Sequence, residues 1–232
     1  MPKLKSADTF RRVVVGVSLI GAMVALFASD LVIPGQGDGN AELLAGVAGD
    51  RGGWLASDLL LLISTILFVP AVLGVLHLVR DRTPVLGHIA AAFGVLGALG
   101  HMGFVTYALV VYEASAAGSP GEMAALLDRL DEGASVVLLP LIMSFAISLL
   151  LMAIALYRAR VVPRWVMLLV IAAFVIELGA PGDVIALSAI KQGLAALAFG
   201  YVGVRVLRMS DAAWRRSEPE AGLDASAAPQ PA

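Results

Sequence analysis

The chain has 232 residues, 59% of them hydrophobic and 15% charged, and a formal charge of −2. Its mean hydropathy is +0.90, where a soluble domain is about 45–50% apolar and about 25% charged. These values exclude a soluble globular domain, a disordered chain and, lacking any basic surplus, a nucleic-acid partner.

What remains is an all-α polytopic transmembrane bundle whose main partner is the lipid bilayer. A helix crosses the bilayer core with ~20 apolar residues. Six stretches qualify: Val13–Pro34, Trp54–Val79, Val85–Tyr112, Ser135–Tyr157, Trp165–Ala180 and Val184–Leu207. Residues 1–12 precede this six-helix domain of residues 13–207. A tail of residues 208–232 follows it, and after about residue 217 that tail has almost nothing to bury, which predicts disorder. The apolar run from Val13 to Phe27 continues through Leu31–Ile33 and no small-residue cleavage pattern closes it. The first span is therefore read as retained, not as a signal peptide.

Between the spans the loops differ in kind. Arg80–Pro84 and Arg158–Arg164 are short and predict tight antiparallel hairpins. Leu78-Val-Arg-Asp-Arg-Thr-Pro and Leu156-Tyr-Arg-Ala-Arg-Val-Val-Pro read alike. Either spans 2–3 and 4–5 are repeated hairpins, or arginine and proline are what any tight inner loop contains. On the other side, Ala41–Ala48 predicts a short helix with Leu43, Leu44 and Val47. Ser119-Pro-Gly-Glu122 is a capping box, followed by Met123, Leu126, Leu127 and Leu130 on one face. That pattern predicts a short amphipathic helix on the outer surface.

Lysine and arginine are partitioned unevenly. Thirteen of the sixteen lie at the N-terminus, in the two tight loops, or at and after the C-terminal end of the last span (Arg205, Arg208, Arg215 and Arg216), and only Arg51 and Arg129 lie in the opposite loops. The positive-inside rule then places both termini in the cytoplasm.

The sixteenth cation, Lys191, falls inside the last span. An intramembrane lysine costs about 2.5–3.5 kcal/mol at a span centre, so it calls for a partner. Asp30, Asp58, Glu113, Glu177 and Asp183 all lie toward the outer side. Asp58 matches Lys191 best in depth. Glu177 is the second choice, because its helix joins the last span through the Gly179-Ala-Pro-Gly182 turn. At 100° per residue, Lys191, Ser188, Asp183 and Tyr201 share a polar sector, with Gly193, Ala196, Gly200 and Gly203 opposite as a packing seam. Ser57, Asp58, Ser64 and Thr65 mark a polar stripe on the second span. Pro140, Ser144 and Ser148 mark one on the fourth. Two readings stand for Lys191: a static buried pair, or one wall of a polar pocket open to the outside.

The histidines carry little cofactor signal. His88 and His101 share a helix ~140° apart, and His77 sits at the rim, which disfavours haem. His101 reads as a hydrogen-bonding core residue among Gly97, Gly100 and Gly103, or as a proton-relay step. Six spans and the outer depth of Lys191 argue against a retinal Schiff base. No cofactor and no metal are expected. No zinc-helix, nucleophile-elbow or Walker pattern is present, and Gly94, Gly97, Gly100 and Gly103 read as intramembrane packing.

Several segments together carry a resemblance. They are Trp54-Leu-Ala-Ser-Asp-Leu-Leu-Leu-Leu-Ile-Ser, Val69-Pro-Ala-Val-Leu-Gly, Arg80-x-Arg-x-Pro-x-Leu-Gly87 and Arg158-Ala-Arg-Val-Val-Pro-Arg-Trp165. From about Trp54 to Arg164 the chain resembles uncharacterised multi-helix bacterial membrane proteins grouped as a domain of unknown function. The resemblance implies a six-helix integral membrane protein and supplies no activity. Three functional classes remain open. The first is a pocket built from Asp58, Glu177, Asp183 and Lys191 that binds or transports a small molecule or ion. The second is a membrane-embedded enzyme using interfacial carboxylates as acid and base on a lipidic or isoprenoid substrate. The third is an accessory subunit whose small-residue seam meets a partner subunit.

Overall fold

A computed structural model describes residues 3–34, 39–179 and 185–215, and every regular element among them is helical. The helices are α1 (Lys3–Val32), α2 (Asn40–Gly49), α3 (Arg51–Val79), α4 (Pro84–Ala114), α5 (Pro120–Arg158), α6 (Arg164–Gly179), α7 (Ile185–Arg208) and α8 (Asp211–Arg215). Asp183 and the tail expected to be disordered lie outside the described residues.

Local chemistry sets the helix ends. Asp50 caps α3, its carboxylate accepting from the Gly53 amide at 2.8 Å. Pro84 opens α4 at a position where no amide hydrogen is needed. Ser119 caps α5 by accepting from the Glu122 amide, with Pro120 at the first helical position. At the far end of α5 the Val161 amide returns to the Leu156 carbonyl and the Arg160 amide to Tyr157. This closure puts Arg160 in the left-handed region at φ 58°.

Among the described residues, five helices are long and apolar enough to cross a membrane: α1 from Ala7 to Val32, α3, α4, α5, and α7 from Leu187 to Arg208. The fifth expected span, α6, has 16 residues. It reaches ~24 Å at 1.5 Å per residue, short of a ~30 Å hydrocarbon core. The amphipathic segment after Ser119 is not a separate surface helix. It forms the first turns of α5, which runs unbroken for 39 residues. Gly133 weakens that path without reversing it, and Pro140 removes one amide inside the helix.

The long helices form a closed ring in chain order, with α2 outside it. Each of α1, α3, α4, α5, α6 and α7 packs on the next, and α7 closes back onto α1. The short loops 80–83 and 159–163 account for α3 packing on α4 and for α5 packing on α6. Large apolar side chains cover the outer surface, among them Val24, Ile66, Leu99, Val137, Leu178 and Leu197. That distribution suits lipid as the surrounding solvent. Toward the ring interior, serine hydroxyls satisfy themselves on neighbouring backbones. Ser57 donates to the Ser29 carbonyl, Ser64 to Ala22 and Ser148 to Ala90, at 2.8–3.0 Å.

Glycine permits the closest seam. A Cβ on Gly97 would lie 2.5 Å from the Phe145 Cα, and one on Gly100 would lie 2.7 Å from the Ile142 amide nitrogen. The α4 glycines are therefore packing residues, as their spacing indicates. The seam expected on α7 is only half present. Gly203 meets the Gly16 carbonyl of α1, whereas Gly200 has nothing within 4 Å.

At the arginine-rich end, α8 is clamped beneath the ring. Asp211 accepts from the Thr9 hydroxyl at 2.6 Å and from Arg12 at 3.2 Å. Arg12 also donates to the Leu207 carbonyl, and Trp214 is buried against His77, 4.4 Å between ring centres. The Thr9 hydroxyl first, and then the Arg12 guanidinium, hold the Asp211 carboxyl below its ordinary value of 3.8. A depressed folded value means that the clamp contributes fully above pH 3.8 and fades as pH falls through the folded value. In protein labelled with fluorotryptophan, the Trp214 resonance is expected to shift in that acid window. Asp211→Asn abolishes the transition, and an unchanged transition in that variant rules the clamp out as its cause.

The opposite end has its own small core of Leu44, Val47, Trp54, Ala108, Val111, Ala124 and Leu127. Asn40 of α2 donates to Asp128 at 2.9 Å and to Asp131 at 2.7 Å, and Tyr107 of α4 donates to Asp131 at 2.6 Å. These bonds tie α2, α4 and the first turns of α5 into one cap.

Candidate functional site

Inside the ring lies a cavity of about 340 Å³. All six ring helices line it. From α1 come Leu26, Ser29 and Asp30, from α3 Ser57 and Leu61, and from α4 His101 and Phe104. Ile142, Phe145 and Leu149 come from α5, Val170, Phe174 and Glu177 from α6, and Ser188, Lys191 and Gln192 from α7.

One corner is charged. The Lys191 ammonium stands 2.5 Å from a Glu177 carboxylate oxygen, with the two side chains 15% and 22% exposed. Beside them the Ser188 hydroxyl donates to Asp30 at 2.8 Å. Asp30 sits two residues from the end of α1, Glu177 two from the end of α6, and Ser188 three from the start of α7. The corner therefore lies toward the capped end, away from the arginines. Elsewhere the wall is mostly apolar and aromatic, with Ser57 and His101 among its polar members. Phe145 packs on Phe68 and on the edge of His101, each 4.4 Å between ring centres. His101 Nδ1 lies 3.0 Å from the Gly97 carbonyl, so Nδ1–H is the donor. In the neutral ring Nε2 is then an acceptor.

The depth argument for Asp58 as the partner of Lys191 is corrected by this geometry. Depth along the membrane normal says nothing about position around the ring. Lys191 rides on α7, whose ring neighbours are α6 and α1, while Asp58 rides on α3. Glu177, on the adjoining helix, takes the contact. Asp58 is 6% exposed, and its Oδ1 is buried without a hydrogen-bond partner among the described residues. Of the residues expected at the site, Lys191, Glu177, Asp30, Ser188 and His101 are brought to one cavity. Asp58 is not among its lining residues, and Asp183 lies outside the described residues.

The aromatic half of the site went unread. Phe104, Phe145 and Phe174 look like any core phenylalanines in sequence, and Gln192 drew no attention beside Lys191. The usable signal was their register. Phe174 is one turn before Glu177, and Phe104 is one turn after His101.

No group of three histidine or acidic side chains among the described residues is arranged to hold a metal ion. Residues 14–204 match the family described as Domain of unknown function (DUF4386). The chain belongs to this family. The match spans all six ring helices, so the cavity is a feature of the DUF4386 region and not of an appended segment. No curated protein and no solved structure matches the chain.

Proposed function

We propose that this DUF4386 protein is a six-span protein of a bacterial cell membrane with both termini cytoplasmic. In this reading its central cavity is an outward-facing pocket that binds or transports a small molecule or ion. The thirteen-to-two partition of cations supports the orientation. The place of α6 in the ring, between α5 and α7, supports its crossing in spite of its length. One observation carries the pocket: the Lys191–Glu177 pair borders a cavity of about 340 Å³. A purely structural pair is favoured by dry, close packing on all sides. The volume is at the small end of ligand pockets, which run about 300–1,000 Å³. An acid–base enzyme has less support, since Glu177 is engaged by Lys191 and Asp30 by Ser188.

The absence of native cysteine allows a direct test. Ser188→Cys is expected to react with a membrane-impermeant thiol reagent in intact cells. Ala212→Cys, at the arginine-rich end, is expected to react only after permeabilisation. Ser188→Cys that stays unlabelled under both conditions removes the pocket, and the reverse pattern inverts the topology.

A further inference from the structure

Resting on the reading of the cavity as a binding site, we infer that its ligand class is an amphipathic cation, an ammonium group joined to a small apolar body. Charge is the first ground. Among the described residues lining the cavity, two carboxylates, Asp30 and Glu177, face one ammonium, Lys191. Glu177 takes that ammonium directly, at 2.5 Å. Asp30 is served by a neutral hydroxyl, that of Ser188. With both carboxyls ionised the corner holds one more acid than base, in a medium where charge is costly to leave uncompensated. A cation entering beside Asp30 balances it, whereas an anion adds a second excess charge.

The hydrogen-bonding groups point the same way. An ammonium is a donor of three hydrogens and accepts nothing. Acceptors in the corner are the Asp30 carboxylate and the Ser188 oxygen, Nε2 of His101 in its neutral form adds one farther along the wall, and Gln192 can both accept and donate. Shape and polarity supply the rest. Apart from Ser29, Ser57 and Gln192, the remainder of the wall is apolar, with Phe104, Phe145, Phe174, Leu149 and Val170 as a surface for a hydrocarbon body. Phenylalanine faces also favour a cation over an anion, the more so where water is excluded. A small inorganic cation would leave that apolar wall unused, and a neutral hydrocarbon would leave the acid unanswered.

The test uses full-length protein in phosphatidylglycerol nanodiscs, with octylamine, octanol and octanoate as matched probes and empty nanodiscs as the reference for partitioning. Octylamine is expected to bind at least tenfold more tightly than either of the others. Asp30→Asn is expected to lower octylamine affinity about tenfold while leaving octanol unchanged. Ala146→Trp, which fills the cavity, is expected to abolish octylamine binding. Octanol or octanoate binding as tightly as octylamine, and lost in Ala146→Trp, overturns the cation and leaves the pocket standing. No specific binding of any probe overturns the cation inference, while labelling of Ser188→Cys judges the pocket separately. If Ala146→Trp fails to fold, the Asp30→Asn comparison decides alone. Adding phosphatidylethanolamine to the nanodiscs separates two sources of the amine: competition assigns a lipid headgroup, and indifference assigns a free amphiphile.

Discussion

Lys191→Met is expected to lower unfolding stability by about 2–4 kcal/mol, and Lys191→Met/Glu177→Leu to regain most of that loss. Removing one member of a buried pair strands the other, which typically costs about 3–5 kcal/mol, whereas replacing both by apolar groups is often neutral. The expected range sits lower because both side chains keep some exposure, 15% for Lys191 and 22% for Glu177. Reversible unfolding in mixed micelles provides the measurement. A single variant as stable as the parent means that Glu177 has another partner and the pair is incidental. A double variant no better than the single assigns the loss to the lysine stem packing against the cavity wall, not to its charge.

Gly97→Ala is expected to cost about 3 kcal/mol, near the top of the usual range for overpacking. The added carbon would lie 2.5 Å from the Phe145 Cα and 2.6 Å from its amide nitrogen. Both are backbone atoms, so no side-chain rotation relieves the clash, and α4 and α5 must part. Phe145 would move with them, and it forms part of the cavity wall. Gly133→Ala is the matched control. It also lies in a long helix, but nothing stands within 4 Å of the added carbon. Helix propensity alone then predicts a gain of up to about 1 kcal/mol. Equal effects at the two positions would show that the α4–α5 seam is looser than its geometry requires.

Much of the architecture could be read in one dimension. Hydropathy and length locate α3, α4 and α7 to within a few residues: Trp54–Val79 against Arg51–Val79, Val85–Tyr112 against Pro84–Ala114, and Val184–Leu207 against Ile185–Arg208. The exception at the N-terminus is instructive. The apolar run begins at Val13, but α1 begins at Lys3, because helical propensity continues through polar residues that need not sit in lipid. The fusion of the amphipathic segment with α5 escaped for the same reason. A change from a surface pattern to a membrane pattern does not break a helix when no strong breaker stands between them.

Membrane class, helical content and the shortlist of charged residues follow from composition and period, because transfer free energy depends on each residue's own chemistry and its place along the chain. The choice among the acids does not follow. Asp58 and Glu177 were both plausible in depth, and what separates them is angle around the ring, set by α7 packing between α6 and α1. The cavity is likewise a property of six helices at once. Each contributes two to four residues, most of which look like ordinary core, and only their convergence encloses a space beside Lys191. Contacts between helices distant in sequence depend on how side chains interdigitate across every seam, and that information is spread over the whole chain, not carried by any one segment.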